Sequence, residues 1–125
     1  MAKTKVFVSF DFDNDKVLKD FIVGQAKNSD SPFEISDYSL KEAKPEKDWL
    51  DHAKRAIGRA DVFVIMLGSK TKSANGVLKE LDVAIEKEKR KFQIIGYNNG
   101  SSDWAVPGGG RTYSWNWENL KKFLS

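Results

Sequence analysis

The sequence predicts an α/β fold, a three-layer sandwich in which helices cover both faces of a central parallel sheet. Two observations carry this. Val62-Phe63-Val64-Ile65-Met66-Leu67 is a run of six apolar residues bounded by Asp61 and Gly68. It is too short for a helix and lacks the alternation of a half-exposed strand, so it reads as a strand buried on both faces. Around it, strand-like and helix-like patterns alternate from Val6 to Tyr97, the order that builds parallel sheets. A length of 125 residues suits one domain with one core. The core is expected in 4–97, with a tryptophan- and glycine-rich extension over 98–125.

Val6-Phe7-Val8-Ser9-Phe10 is the first strand, and Asp13 or Asn14 caps the helix that follows. Val17, Leu18, Phe21, Ile22 and Ala26 recur at helical spacing to about Asn28. After the turn cluster Asn28-Ser29-Asp30-Ser31-Pro32, the alternating Phe33-Glu34-Ile35-Ser36 is a second strand. Asp37 to Lys44 reads as a polar connection. Pro45 suits the first turn of a second helix whose stripe is Trp49, Leu50, Ala53, Ala56 and Ile57, and Gly58 ends it. After the central strand, Ser73 or Asn75 caps a third helix running to about Arg90, with Val77, Leu78, Leu81, Ala84 and Ile85 as its apolar face. Phe92 to Tyr97 is a fourth strand. Thr112-Tyr113-Ser114-Trp115 is a short edge strand, and Trp117, Leu120, Phe123 and Leu124 mark a closing helix.

Composition narrows the function. Charged residues make up 31% and hydrophobic ones 40%, an ordinary globular balance. No run approaches the ~18 apolar residues that cross a bilayer. The N-terminus enters a strand without a signal-peptide core, which points to a cytoplasmic protein without membrane contact. The absence of cysteine excludes disulfides, thiol catalysis and cysteine-ligated metals. The formal charge of +3 is spread among interleaved acids and bases, as in Glu86-Lys87-Glu88-Lys89-Arg90-Lys91, unlike the basic stripe of a nucleic-acid binder.

Ligands of open α/β sheets collect beyond the carboxyl ends of the strands, so the loop Gly68-Ser69-Lys70-Thr71 is the first place to look. Gly108-Gly109-Gly110 follows no buried strand and opens no long helix, which fails both phosphate-loop fingerprints and leaves a plain turn. Asp11-Phe12-Asp13 after the first strand would repel a flavin phosphate, and the central strand ends without a phosphoryl-accepting aspartate. His52, the one histidine, sits mid-helix among charged residues, so no zinc site is expected. Asp11, Asp13 and Asp15 alternate without the other ligands of a cation loop. They read as helix-start acids favoured by the dipole, or else as a polar site at the sheet end. Glu80 differs from the other acids. With Val77 at zero and about 100° per residue, the apolar stripe of the third helix spans about 340° to 100°, and Glu80 falls at roughly 300°, on its flank. That places it near the Gly68 loop and the end of the first strand. A boundary glutamate paired with a lysine would occupy the same position.

Lys5-Val6-Phe7-Val8-Ser9-Phe10, the Val62 to Thr71 stretch, and Val77-Leu78-Lys79-Glu80-Leu81 with the Ile94-Ile95-Gly96 strand beyond it occur in this order over 4–97. Together they resemble the TIR-like family of bacterial and archaeal antiviral systems such as Thoeris. The resemblance implies a flavodoxin-like sheet and, in many relatives, cleavage of NAD at the nicotinamide–ribose bond. NAD is then a substrate, and no cofactor or metal is required. The family's catalytic glutamate matches Glu80. Its pocket is lined from the loop after the first strand, here Ser9, Phe10 and Asp11, and from the loop after the second, here Asp37 and Tyr38; Ser69 joins them from the Gly68 loop. Many relatives carry a tryptophan four residues before the glutamate, where this chain has Gly76, so Phe10 or Tyr38 would have to stack on the base instead. The implied partners are a nucleotide and a second copy, or another TIR-like or effector protein. Two other readings stay open: a non-catalytic TIR-like interaction module, with the Asp37 to Lys44 loop and the Trp104, Trp115 and Trp117 tail as contacts, and a nucleotide-binding sensor.

Overall fold

A computed structural model describes residues 3–11, 14–27, 31–38, 46–97, 100–114 and 118, excluding the side chains of 36–38 and 46–47. The elements run β1 (Thr4–Ser9), α1 (Lys16–Ala26), β2 (Phe33–Tyr38), α2 (Glu46–Arg59), β3 (Val62–Leu67), α3 (Asn75–Glu86), β4 (Arg90–Ile95) and β5 (Arg111–Ser114). Single 3-10 turns lie at Thr71–Ser73 and Ser102–Trp104. The sheet has the order β2-β1-β3-β4-β5 and every pair is parallel. This is the expected α/β sandwich with flavodoxin-like strand order.

All six β3 side chains are buried. Each contributes about 1.5–3 kcal/mol by leaving water, which makes this strand the spine of the fold. Alternate residues divide between two cores. Phe7, Phe63, Ile65 and Leu67 face Ala53, Ala56 and Ile57 of α2 and Val77, Leu81 and Ala84 of α3. Val6, Val8, Val62, Val64 and Met66 face Leu18 and Ile22 of α1, with Phe10 and Phe33. Asp61 fixes the entry to β3 by accepting the Lys5 amide through Oδ2 at 2.8 Å.

Several boundaries differ from expectation, each for a local reason. β2 continues through Asp37 and Tyr38, which pair with Phe7 and Val8 of β1. The register shifts opposite Val6/Phe7, so Ser36 is an extra residue and the side-chain alternation breaks there. Asp37 and Tyr38 are therefore strand residues rather than loop residues. α1 begins at Lys16 after Asp15, not at Asp13 or Asn14, and its first turn has no side-chain cap. α2 runs one residue past Gly58, and Lys89 Nζ donates to the carbonyl of Gly58 in its last turn and to that of Ala60 just beyond its end. α3 starts after Ala74 without a side-chain cap, because Ser73 Oγ bonds Lys70 O instead. The expected closing helix and Trp115 and Trp117 lie outside the described residues, apart from helical Glu118.

The charged run after α3 also departs from the sequence reading. The helix stops at Glu86 rather than near Arg90, and Arg90 already begins β4. Glu88 N–H bonds Ile85 O and Lys89 N–H bonds Ala84 O, while Glu88 has φ 56. That is the paired-bond helix terminator usually built on glycine, here with a glutamate in the left-handed region. A side chain there costs about 1 kcal/mol. Glu88→Gly should therefore stabilise the protein by about 0.5–1 kcal/mol, seen as a higher urea midpoint at unchanged m-value.

Candidate active site

β2 and β4 leave the β1–β3 pair in opposite directions, so the carboxyl ends of β1 and β3 form the switch point where open sheets bind ligands. Ser9 ends β1 and pairs with Ile65 of β3. It follows Val8 of the α1-side core and so turns toward the α2–α3 face. There Ser9 Oγ donates to Glu80 Oε1 at 2.7 Å, both residues being 0% exposed.

The burial of Glu80 is a property of how α3 is turned. Val77, Glu80, Leu81, Val83 and Ala84 are buried, an arc from about 240° to 40° on the projection used above. The helix has thus rotated away from its apolar stripe. Ile85 is left 47% exposed while a carboxylate goes inside. Placing a carboxylate in a helix–sheet interface is costly unless it is hydrogen-bonded, and packing alone would have selected the opposite rotation.

On the other side of the switch point Asp15 occupies the N-cap position of α1 without capping it. Its carboxylate reaches across the sheet edge, accepting from Thr71 Oγ1 at 3.2 Å and from Tyr97 OH at 2.9 Å, and Thr71 Oγ1 in turn accepts the Gly68 amide at 2.7 Å. The polar site at the sheet end is therefore the role Asp15 takes. Burial raises the Asp15 carboxyl above its usual 3.8, with the Asp11 charge adding to the effect and the hydrogen bonds from Tyr97 and Thr71 opposing it. Its contribution to stability is complete below pH 3.8 and is lost as pH rises through the raised value.

Burial and the bond to Asp15 push the Tyr97 phenol up to about 12 from 10.0. Because the folded value lies above the unfolded one, this stabilisation is intact below pH 10 and disappears as pH rises toward 12. The tyrosinate absorbance of wild type minus Tyr97→Phe should therefore titrate near pH 12, and the variant should show a flatter stability profile in that alkaline window.

Asn14, Asp15, Ser69, Lys70, Tyr97 and Trp104 line a cleft of about 280 Å³ at this edge. Of the residues expected from sequence, Ser69 is in its wall. Ser9 and Glu80 are brought together and buried, and neither lines it. Phe10 packs in the α1-side core, and Asp11 is buried, accepting from Asn14 Nδ2 at 2.7 Å. Asp37 and Tyr38 are placed by their backbone in β2. Sequence reasoning reached Lys70 only as part of the Gly68–Thr71 loop, and did not assign Asn14, Tyr97 or Trp104 to the site, since their meeting depends on the β4 turn. The clue available was a tyrosine closing a strand, just ahead of a glycine-containing turn and a tryptophan. His52 is half-buried on α2. Among the described residues no group of three or more His, Asp or Glu could hold a metal, and no helix is long and apolar enough to cross a membrane.

A five-stranded parallel sheet of order 2-1-3-4-5 with polar residues gathered at its switch point defines a flavodoxin-like α/β domain. The family model described as "Thoeris protein ThsB, TIR-like domain" matches residues 7–101, and the chain belongs to that family, which makes it a TIR-like protein of antiphage defence. It is similar in fold to a conserved protein from Enterococcus faecalis V583 of known crystal structure, with a TM-score of 0.67 and 15% identity, covering 98% of each chain. No curated protein matches the chain.

Proposed function

We propose that the protein cleaves NAD at the nicotinamide–ribose bond, with Glu80 as the catalytic carboxylate. The product is ADP-ribose or a cyclised or conjugated derivative serving as a signal in antiphage defence. The observation that supports this is the turn of α3, which buries Glu80 onto Ser9 at the switch point while Ile85 stays 47% exposed. The bond from ribose C1′ to the nicotinamide nitrogen breaks, and nicotinamide leaves as a neutral base with the bonding pair. The oxocarbenium-like ribose then takes up water and loses a proton, giving ADP-ribose. An ionised Glu80 facing the developing positive charge stabilises that state by the electrostatics that operate in glycoside cleavage, and a ribose hydroxyl replaces Ser9 Oγ on Oε1. The proposed substrate contacts are Ser9, Phe10, Asp11, Asp37, Tyr38 and Ser69. Because Ser9, Phe10 and Asp11 are buried, their side chains have to rearrange before a ribose reaches them. The proposed setting is the cytoplasm, with self-association or another TIR-like or effector protein as partner. Incubating the protein with NAD, as purified and after assembly at high concentration, should release nicotinamide; no release in either state overturns the reading.

The competing reading is a non-catalytic interaction module. It draws on Val17 and Phe21, one helical turn apart on α1 and 44% and 55% exposed. It predicts self-association on size-exclusion chromatography that NAD does not change.

A further inference from the structure

The parallel sheet sorts charges that the sequence interleaves. Every strand starts, and every α-helix ends, at one edge of the molecule. Within two residues of those points the described residues include nine Lys or Arg against four acids, Glu34, Asp61, Glu86 and Glu88. The same window at the opposite edge holds two bases against five acids. The three helix C-termini at the basic edge each act as about half a negative charge, so their dipoles account for only about one or two of the bases. Three more are held locally. Lys89 Nζ donates to the Gly58 and Ala60 carbonyls, Lys91 Nζ donates to Lys89 O at 3.1 Å, and the Arg90 guanidinium lies over the Phe92 ring at 5.2 Å. The other six, Lys3, Lys5, Lys27, Arg59, Lys87 and Arg111, are mostly or wholly outside the core, and none takes part in an ion pair among the described residues.

From this distribution we propose that the amino edge of the sheet binds double-stranded nucleic acid through its phosphate backbone. The free cations belong to all three layers: Lys27 ends α1, Lys3, Lys5 and Arg111 open strands, and Arg59 and Lys87 end α2 and α3. A double helix presents phosphates of two strands across such a field, whereas a single strand follows one line. Single-strand binding also uses aromatic stacking platforms, and no aromatic at this edge is exposed among the described residues. A second copy fits less well, because Asp11 and Asp15, two of the five acids at the opposite edge, are buried. A bilayer needs apolar insertion besides charge, and near this edge Ile85 is the one large exposed apolar residue among those described. No element projects into a groove from this edge, so the contacts position a duplex without reading its sequence. The site lies at the far end of the strands from Glu80 and does not depend on its being catalytic.

The test is fluorescence anisotropy of the protein with a labelled DNA duplex of about 20 base pairs, and with an RNA duplex of the same sequence. Contact with about five phosphates gives a log–log salt slope of about −4.5. Binding to either duplex should therefore be about micromolar at about 50 mM salt and about 500-fold weaker at about 200 mM. Changing Lys3, Lys27, Arg59 and Arg111 together to Gln should weaken binding at least about 100-fold and bring the slope to about −1, each lost contact removing about one unit. Changing Lys16, Lys54, Lys72 and Lys79 together to Gln removes the same charge away from the edge and should leave affinity within about threefold of wild type. Circular dichroism verifies that both variants are folded. No saturable binding to either duplex at about 50 mM salt, a slope shallower than about −2, or equal weakening in the two variants would overturn the proposal. So would equal affinity for the single strand, for poly-glutamate or for phosphatidylserine vesicles, each of which would make the partner something other than a duplex.

Discussion

Glu80→Gln should lower NAD turnover by at least about 100-fold, the range seen when one preorganised electrostatic group is removed from an active site, while leaving the fold in place. The substitution keeps size and shape, and the glutamine carbonyl can still accept from Ser9 Oγ, now 2.7 Å from Oε1. What it removes is the charge that would face the ribose as nicotinamide departs. Stability should change by no more than about 1 kcal/mol, since the buried hydrogen bond survives. Glu80→Leu separates the two readings further. If the carboxylate is only structural, a same-sized apolar residue beside Val77, Leu81 and Ala84 takes the acceptor from the buried Ser9 hydroxyl and costs about 1–3 kcal/mol of stability, with turnover kept by the folded fraction. If it is catalytic, turnover collapses in both variants whatever happens to stability. Nicotinamide release should be measured on the assembled form of each protein beside urea unfolding. Undiminished release by Glu80→Gln would remove Glu80 from the chemistry.

The layers were legible because they rest on long, unambiguous signals, while the flavodoxin-like strand order followed from the family resemblance. Six apolar residues in a row can only be a doubly covered strand, and α1 and α2 carry stripes dense enough to identify. Glu80 was legible as an outlier by its position relative to such a stripe, but its depth was not. The projection of α3 centres on Leu81, with Leu78 and Ile85 toward one edge, whereas the folded helix centres its buried face between Glu80 and Ala84. A rotation of that kind is decided by the Ser9–Glu80 bond, between residues 71 positions apart. The same holds for the cleft. Asp15 looked like one of three helix-start acids, and only the parallel sheet brings it to Tyr97, 82 positions away. The turn at Glu88 was hidden because the residue in the left-handed region is not glycine. In β2, the extra residue at Ser36 broke the alternation that would have extended the strand to Tyr38.

Gly68→Ala should be among the most destabilising single-methyl changes available in this protein, costing about 2–4 kcal/mol. Gly68 does not need a positive φ, so the cost is not backbone strain. A Cβ built there would overlap the Asp15 carboxylate, and that group is not a free side-chain end, being held by Thr71 and Tyr97. Displacing it strands two hydroxyls that have lost their acceptor, each worth about 1–3 kcal/mol when buried, and pulls apart the ends of β1, β3 and β4. For a chain of this size the melting temperature should fall by roughly 10 °C. Gly24 supplies the control. It lies within α1 and a Cβ there meets nothing within 4 Å, so Gly24→Ala should raise stability by about 0.5–1 kcal/mol through helix propensity and a more restricted unfolded chain. The cause is tested by a double-mutant cycle with Asp15→Ala. With the carboxylate removed, the Gly68→Ala methyl has room and its cost should fall below about 1 kcal/mol, giving a coupling energy above 1 kcal/mol. Additive losses in that cycle would mean that Gly68 is required for some reason other than its contact with Asp15.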